Sequence, residues 1–445
     1  MKSDQALEFV KNILSPRQLS FIEEVVFVQA WEGQAYRSIS TESAYDEGYL
    51  RDVGANLWQC LSQELDCKIT KKNLRSLLSD LAQNDDPAHS ALNSLVNQRL
   101  GVMEFPGAPL PFGSPLYVER YPIEELAIAE IWQPGSLIRI QGSQNMGKTS
   151  LINHLFGKVR QAGIHTLRVD VRQAGAEALN NLDRFLRWFC WNLGQQLQIP
   201  SEFDRYWFEM AGSSLSCTTY VQEVFLNRLQ QPLLVVIDKV HHLVDYEELA
   251  KNFFPLLRSW HEQARTDQNW QKLRLILTSS TEFNLPLQPH QSPFNVGLPL
   301  SLPMFTPDQA LDLAKRYGLE SISLGDTQAL QPLMELVAGH PYLLQLVFYH
   351  LRSGDIALEQ LLQSAPTHAG IYHSYLQPFW QVVRRDDRLF PAFVEILSGT
   401  ESIALDPTTS DRLIGMGLLK LEGFKTIMGC NLYQQYFRAC LEGQN

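Results

Sequence analysis

The run Gly142-Ser143-Gln144-Asn145-Met146-Gly147-Lys148-Thr149 constrains this chain more than any other feature. It fits G-x-x-x-x-G-K-[ST] at every fixed position, directly after the apolar stretch Leu137-Ile138-Arg139-Ile140 and before the apolar run Leu151 to Phe156. A strand, a tight turn and a helix are therefore expected in that order. The glycines let the backbone turn so that successive N–H groups, aided by the positive end of the helix dipole, can surround phosphates. Lys148 is expected to reach the β and γ phosphates as a point charge, and the Thr149 hydroxyl to ligate Mg2+. The expected ligand is ATP with Mg2+, held by residues 142 to 149 and the adjoining Ser150. An ordinary Gly-rich turn is the plain alternative, and the flanking strand and helix weigh against it.

A phosphate cradle of this kind needs an acid at the end of a neighbouring buried strand, to hold the metal's hydration shell. Leu233-Leu234-Val235-Val236-Ile237-Asp238 supplies one. A carboxylate closing so apolar a run is costly to bury unless a cation meets it; a helix N-cap is the other reading of Asp238. In additional-strand P-loop ATPases the next residue is usually a glutamate that polarises the attacking water, but this position is Lys239. A protonated lysine cannot accept a proton from water. Nucleotide binding with slow or absent hydrolysis is expected. Glu247 and Glu248 could substitute, although their place at the start of a helix fits a solvated face. His241 and His242, adjacent and expected to point apart, are read as structural rather than as metal ligands or bases.

Short apolar runs at 137–140, 166–171, 233–237, 273–277 and 298–302 alternate with amphipathic stretches. Strands so spaced predict an α/β fold with a parallel sheet covered on both faces. A chain of 445 residues, 45% hydrophobic and 19% charged, holds enough apolar material for two to four domains. The reading divides it into an all-helical segment at 1–84, a linker at 85–115 rich in proline near its end, the nucleotide domain at 116–303, a helical region at 304–365 and a C-terminal region at 366–445. The last contains a hairpin pattern from Gly417 to Lys425. Net charge of −11 argues against wholesale coating of nucleic acid. Six scattered cysteines without a C-x-x-C pair suggest neither a zinc site nor a disulfide framework, and place the chain in a reducing cytoplasm. Neither a signal peptide nor a bilayer-spanning run is expected.

From Tyr117-Val118-Glu119-Arg120 to about Phe437 the chain resembles the AAA-like ATPase domain of bacterial signalling proteins in the STAND class of P-loop NTPases. The matching pieces include Met146-Gly147-Lys148-Thr149-Ser150-Leu151, Phe185-Leu186-Arg187-Trp188-Phe189, Phe254-Pro255-Leu256-Leu257-Arg258-Ser259-Trp260, Ser292 to Pro299 and Gly339-His340-Pro341-Tyr342-Leu343. The resemblance implies the additional-strand sheet order, a helical lid and a winged-helix domain. It implies that Arg120 and Pro341 flank the nucleotide base, and that Thr278 and Ser279, followed by Ser280, stand where a polar sensor reads the γ phosphate. Lys239 and His241 depart from the acids usual at their positions, which bears on hydrolysis and not on fold. The alternatives are an active ATPase, which would need an acidic base and a trans-acting arginine such as Arg184, Arg187 or Arg258, and a DNA-binding transcriptional regulator. Read without the family, Gly339-His340-Pro341 is a helix stop before a proline-started helix, and Phe185, Trp188 and Phe189 are core.

Residues 5 to 80 resemble the N-terminal helix-turn-helix of vWA-MoxR-associated proteins, on Ser15 to Leu19, Trp31 to Ile39 and Asp46 to Val53. Asp46, Glu47 and Asp52 surround Arg51, with Lys68, Lys71, Lys72 and Arg75 further on, and acids beside phosphate are unfavourable. A protein partner in a signalling or conflict system is therefore favoured over DNA contacted through residues 36–75. A nucleotide-dependent oligomer is a further expectation, with the signal source and the output residing in other proteins.

Overall fold

The computed structural model describes residues 104–280, 292–319, 327–352, 356–399, 405–423 and 425–443, together with 21–34, 47–64 and isolated positions between 6 and 74. The chain divides into two units, Met1–Met103 and Glu104–Asn445. Ser15 to Leu19, Asp46, Lys68, Lys72, Arg75 and the first part of the 85–115 linker lie outside the described residues, as does the Asp52 side chain.

In the N-terminal unit, α1 (Phe21–Trp31) and α2 (Glu47–Glu64) pack through a small apolar core. The helical spacing of Val26, Leu50, Leu57 and Leu61 buries all four, with Ile22 and Val53 against them. Phe27 stacks on Trp31 at 6.0 Å and meets Trp58 at 6.4 Å between ring centroids. The Trp58 indole donates to the Tyr36 hydroxyl at 3.0 Å, and Lys71 lies 3.8 Å over the Tyr36 ring.

The larger unit is built on a five-stranded sheet in the order β2-β3-β4-β1-β5, parallel throughout. Its elements in chain order are α3 (Ile123–Ile131), β1 (Leu137–Gln141), α4 (Lys148–Arg160), β2 (His165–Asp170), α5 (Leu182–Leu197), β3 (Leu233–Asp238), α6 (Glu247–Gln263), β4 (Leu273–Ser279) and β5 (Leu298–Ser301). The insertion of β4 between β1 and β3 is the additional-strand arrangement. β3 is buried along its whole length because both faces of the sheet are covered. Its side chains alternate: Leu233, Val235 and Ile237 pack with Phe185, Phe253 and Trp260 of α5 and α6, while Leu234 and Val236 pack with α3 and α4 through Ile131, Ile152 and Leu155. Phe185 and Phe189 are core, and Trp188 packs against it.

Residues 104–115 belong to this unit, although the prolines suggested a linker there. The Leu110 N–H donates to Ser150 Oγ at 3.0 Å and Asn153 donates to the Leu110 carbonyl at 2.9 Å, so the extended stretch is strapped to α4. Both backbone groups of Leu110 thus find partners on the helix.

Beyond the sheet follow α7 (Pro307–Arg316), α8 (Thr327–Val337), α9 (Pro341–Arg352), α10 (His373–Arg385), α11 (Leu389–Leu397) and α12 (Pro407–Gly415), then the antiparallel hairpin β6 (Leu419–Glu422) and β7 (Lys425–Met428), and α13 (Asn431–Glu442). Thr306 and Gln309 close a capping box at the start of α7, with Pro307 at its first position. Phe437 of α13 stacks on Trp380 of α10 at 5.9 Å and meets Phe393 of α11 edge-on at 5.1 Å.

Candidate nucleotide site

The loop from Gly142 to Gly147 leaves the C-terminal end of β1 and enters α4 at Lys148. Asn145 (φ 60°) and Gly147 (φ 87°) both adopt left-handed backbone. A Cβ at Gly147 would stand 3.0 Å from Arg120 Nη2, so the left-handed conformation favours glycine at a corner that is also tight. The loop borders a cleft of about 1200 Å3. Gln144, Asn145, Lys148 and Thr149 form one wall, and Pro341, Tyr342 and Arg412 belong to others.

The Lys148 ammonium donates to the carbonyls of Gly142 and Ser143, the latter at 2.8 Å. Burial pushes its pKa down to about 8, with Asp238 opposing that shift and Lys239 adding to it. A lysine poised near neutrality makes phosphate binding sensitive to alkali. Between pH 7 and pH 9.5 the free protein loses the proton that an anion needs, so ATP affinity is expected to fall, approaching tenfold per pH unit above 8. Titration calorimetry across that range in two buffers checks this, and an affinity flat to pH 9.5 contradicts it.

Asp238, 1% exposed, closes β3 and has two partners. Thr278, at the C-terminal end of β4, donates its hydroxyl to Oδ1 and accepts the Lys239 N–H at 2.9 Å. Arg168 of β2 bonds to Oδ2, with Nε at 3.1 Å from that oxygen, and its Nη2 lies 3.4 Å from Thr149 Oγ1. The Thr149 hydroxyl and the Asp238 carboxylate thus face one point, and two hard oxygen donors of this kind fit Mg2+.

Sequence reasoning overlooked Arg168. Its signal was present: a guanidinium alternating with Leu167 and Val169, two residues before Asp170 and so on the same face of β2.

Lys239, in left-handed backbone at φ 60°, extends its ammonium to Asp170 Oδ2 at 2.8 Å, where Arg172 also pairs at 2.7 Å. Burial works against the Asp170 carboxylate, but the hydrogen bonds from Arg172 and Lys239 outweigh it and hold the group well below the usual range. The position after Asp238 is therefore occupied by a neutralised cation and not by a base. Glu247 and Glu248 face solvent at the start of α6, where Glu247 pairs with Lys251 at 2.6 Å.

The rings of His241 and His242 lie 4.6 Å apart, in the 3-10 turn Val240–Asp245. His241 accepts the Ser280 N–H at 3.2 Å and burial pushes its pKa down to about 3, which keeps the ring neutral. Among the described residues no group of three or more His, Cys, Asp or Glu could hold a metal ion.

Arg120, largely buried, donates to the Met146 carbonyl at 2.8 Å and lies over the Phe305 ring at 4.9 Å. Its guanidinium buttresses the phosphate loop from behind while the residue also lines the cleft. Ser150 accepts from Leu110. Ser279 is buried in β4 beside Gln141. His340, whose pKa burial pushes down to about 4, precedes Pro341 at the start of α9. Arg184 and Arg187 pair with Glu177 and Asp183, and Arg258 with Glu262.

A parallel sheet of this order with a glycine-rich loop between β1 and α4, and a buried aspartate at the end of β3, defines a P-loop nucleotide-binding domain. Residues 105–439 match the model of the AAA-like domain, and the chain belongs to that family. Residues 1–81 match the vWA-MoxR associated protein N-terminal HTH. An uncharacterized WD repeat-containing protein of Synechocystis sp. is 23% identical over 260 residues, 56% of this chain; the chain spans only 21% of that relative. The Walker-type ATPase of Pyrococcus abyssi shares 16% identity over 72% of this chain and 96% of its own, with a TM-score of 0.49. The Aeropyrum pernix ORC2 protein shares 13% over 75% and 98%, with a TM-score of 0.41. No helix among the described residues is long and apolar enough to cross a membrane.

Proposed function

We propose that this protein is an ATP-binding switch with slow or absent hydrolysis, in which the nucleotide governs what a cytoplasmic signalling partner encounters. The observation that carries the reading is Lys239, which stands where a general base is needed and is bound to Asp170 at 2.8 Å. The residues that hold the nucleotide are 142 to 150, with Lys148 on the phosphates, Thr278 and Ser279 as sensors of the γ phosphate, and Arg120 and Pro341 toward the base. Mg2+ would be held by Thr149 and Asp238 and would neutralise charge between the β and γ phosphates.

The segment from α7 to α9 acts as the helical lid, and α10 to α13 with the hairpin as the winged helix, dividing the chain near residues 303 and 365. What supports this is the cleft itself, whose walls include Tyr342 of α9, Tyr375 of α10 and Arg412 of α12 opposite the phosphate loop. A nucleotide that contacts both sides has different affinity for open and closed arrangements, which is all a switch requires. Hydrogen exchange of the ATP and ADP forms tests it; identical patterns, with identical partner binding, would sink the switch.

Turnover by the purified protein is expected to be far below ordinary ATPase rates of about 1 s⁻¹ or more. Lys239→Glu combined with Asp170→Asn, which removes the repulsion a new carboxylate would meet, is expected to raise the rate at least about tenfold, since a positioned base contributes 10²–10⁴. Single-turnover assays decide this, and fast turnover by the natural chain would refute it.

The N-terminal unit is proposed to dock a protein. Arg51 on α2 is paired with Glu47 at 2.8 Å, which leaves that part of the helix with little net positive charge to offer phosphates. DNA is the second reading, favoured by the helix-turn-helix match. No duplex shift is expected at 150 mM salt. A salt-dependent shift lost in Arg51→Ala or Lys71→Ala would reverse the preference.

A further inference from the structure

The β2 strand brings a guanidinium to the place where a nucleotide site uses a metal. Arg168 meets both oxygens proposed to hold magnesium, bonding to Asp238 Oδ2 and approaching Thr149 Oγ1 at 3.4 Å. The second Asp238 oxygen is taken by the Thr278 hydroxyl. A carboxylate so deeply buried needs a compensating cation, and Arg168 supplies it from within the chain.

Mg2+ requires the same oxygens, directly or through its water shell, in near-octahedral geometry at about 2.0–2.1 Å. A guanidinium and a divalent ion compete for that space, because their charges repel and Oδ2 already accepts two bonds from Arg168. The metal therefore enters only if Arg168 leaves. Its backbone is fixed, since the Arg168 N–H donates to Gln196 Oε1 at 3.2 Å and Gln196 Nε2 donates to the Arg168 carbonyl at 3.0 Å. The side chain, 29% exposed on the edge strand, can swing out. Around the same corner Lys148, Lys239 and Arg172 add three further cations against the acids Asp170 and Asp245.

We propose that Arg168 is a built-in counter-cation of the Thr149 and Asp238 pair that competes with Mg2+, so that this protein binds ATP with little dependence on the metal. The inference rests on the reading of residues 142 to 149 as the nucleotide cradle. It differs from a structural ion pair, whose loss would change stability and leave the response to metal unaltered.

The test is calorimetric titration of ATP into nucleotide-stripped full-length protein, in excess Mg2+ and in EDTA, for the natural chain, Arg168→Gln and Arg168→Lys. The natural chain is expected to change Kd by less than about threefold between the two buffers, whereas Arg168→Gln should weaken about tenfold or more in EDTA and recover with Mg2+. Arg168→Lys, a point charge that cannot bridge both oxygens, should fall between them. Mn2+ followed by electron paramagnetic resonance in the ATP complex should bind more tightly to Arg168→Gln than to the natural chain. A natural chain that loses tenfold or more in EDTA, or a glutamine variant with the same metal response as the natural chain, overturns the proposal. If Arg168→Gln does not fold, the EDTA comparison of the natural chain and the lysine variant decides. Absence of ATP binding in both buffers would instead fail the cradle itself, a result distinct from binding with an unchanged metal response.

Discussion

Replacement of Lys148 by alanine is expected to weaken ATP binding by about thirtyfold to a few thousandfold, the equivalent of truncating one partner of a buried charge contact at roughly 2–5 kcal/mol. The ammonium sits at the mouth of the loop, bonded to the Gly142 and Ser143 carbonyls, and it is the one flexible cation between the backbone amides and the cleft that the motif contributes. Phosphate oxygens would take over those bonds. Folding should survive the change, because removing a cation whose pKa burial already depresses removes a cost of the folded state. A melting temperature near that of the natural chain, alongside the lost affinity in calorimetry, is the combined result expected. Unchanged affinity would move the nucleotide elsewhere.

Gly339→Ala is expected to cost stability instead. Gly339 adopts φ +75°, directly after Ala338 at φ 52°, and ends α8 before Pro341 starts α9. Its carbonyl accepts the Phe305 N–H at 2.8 Å, and an added Cβ would stand 2.2 Å from the Phe305 carbonyl oxygen. Left-handed backbone costs an L-residue about 1–2 kcal/mol, and the forced backbone shift roughly 1–3 more. For a unit of this size each kcal/mol lowers Tm by about 2 °C, so a drop of about 4 to 10 °C is expected in a thermal melt. The clash also displaces Phe305, which underlies Arg120, and Pro341, which lines the cleft, so ATP affinity should decline with it. A variant as stable as the natural chain would mean that the turn relaxes without strain.

Much of this molecule was legible because its signals are contiguous. Each strand of the sheet is an apolar run bounded by turn residues, and β1 to β5 fall within a residue or two of the runs read from sequence. The phosphate loop declares itself in eight consecutive residues, and Asp238 announces itself as a charge ending an apolar strand. The helices after Pro303 and the hairpin at β6 and β7 follow from spacing of the same local kind.

Partners across the sheet were not legible. Arg168 and Asp238 lie 70 positions apart and meet because β2 and β3 pair in parallel register, Arg168 opposite Val236 and Asp170 opposite Asp238. A one-residue slip would turn Arg168 to the other face. The bond from the Arg120 guanidinium to the Met146 carbonyl was not foreseen, and the proline stretch before it was expected to link and instead straps α4. Local residue order determined the cradle, the acid and the lysine that follows it, since each depends on chain neighbours alone. Tertiary structure decided which charges neutralise which, because ion pairing depends on distances through space that only strand register and packing set.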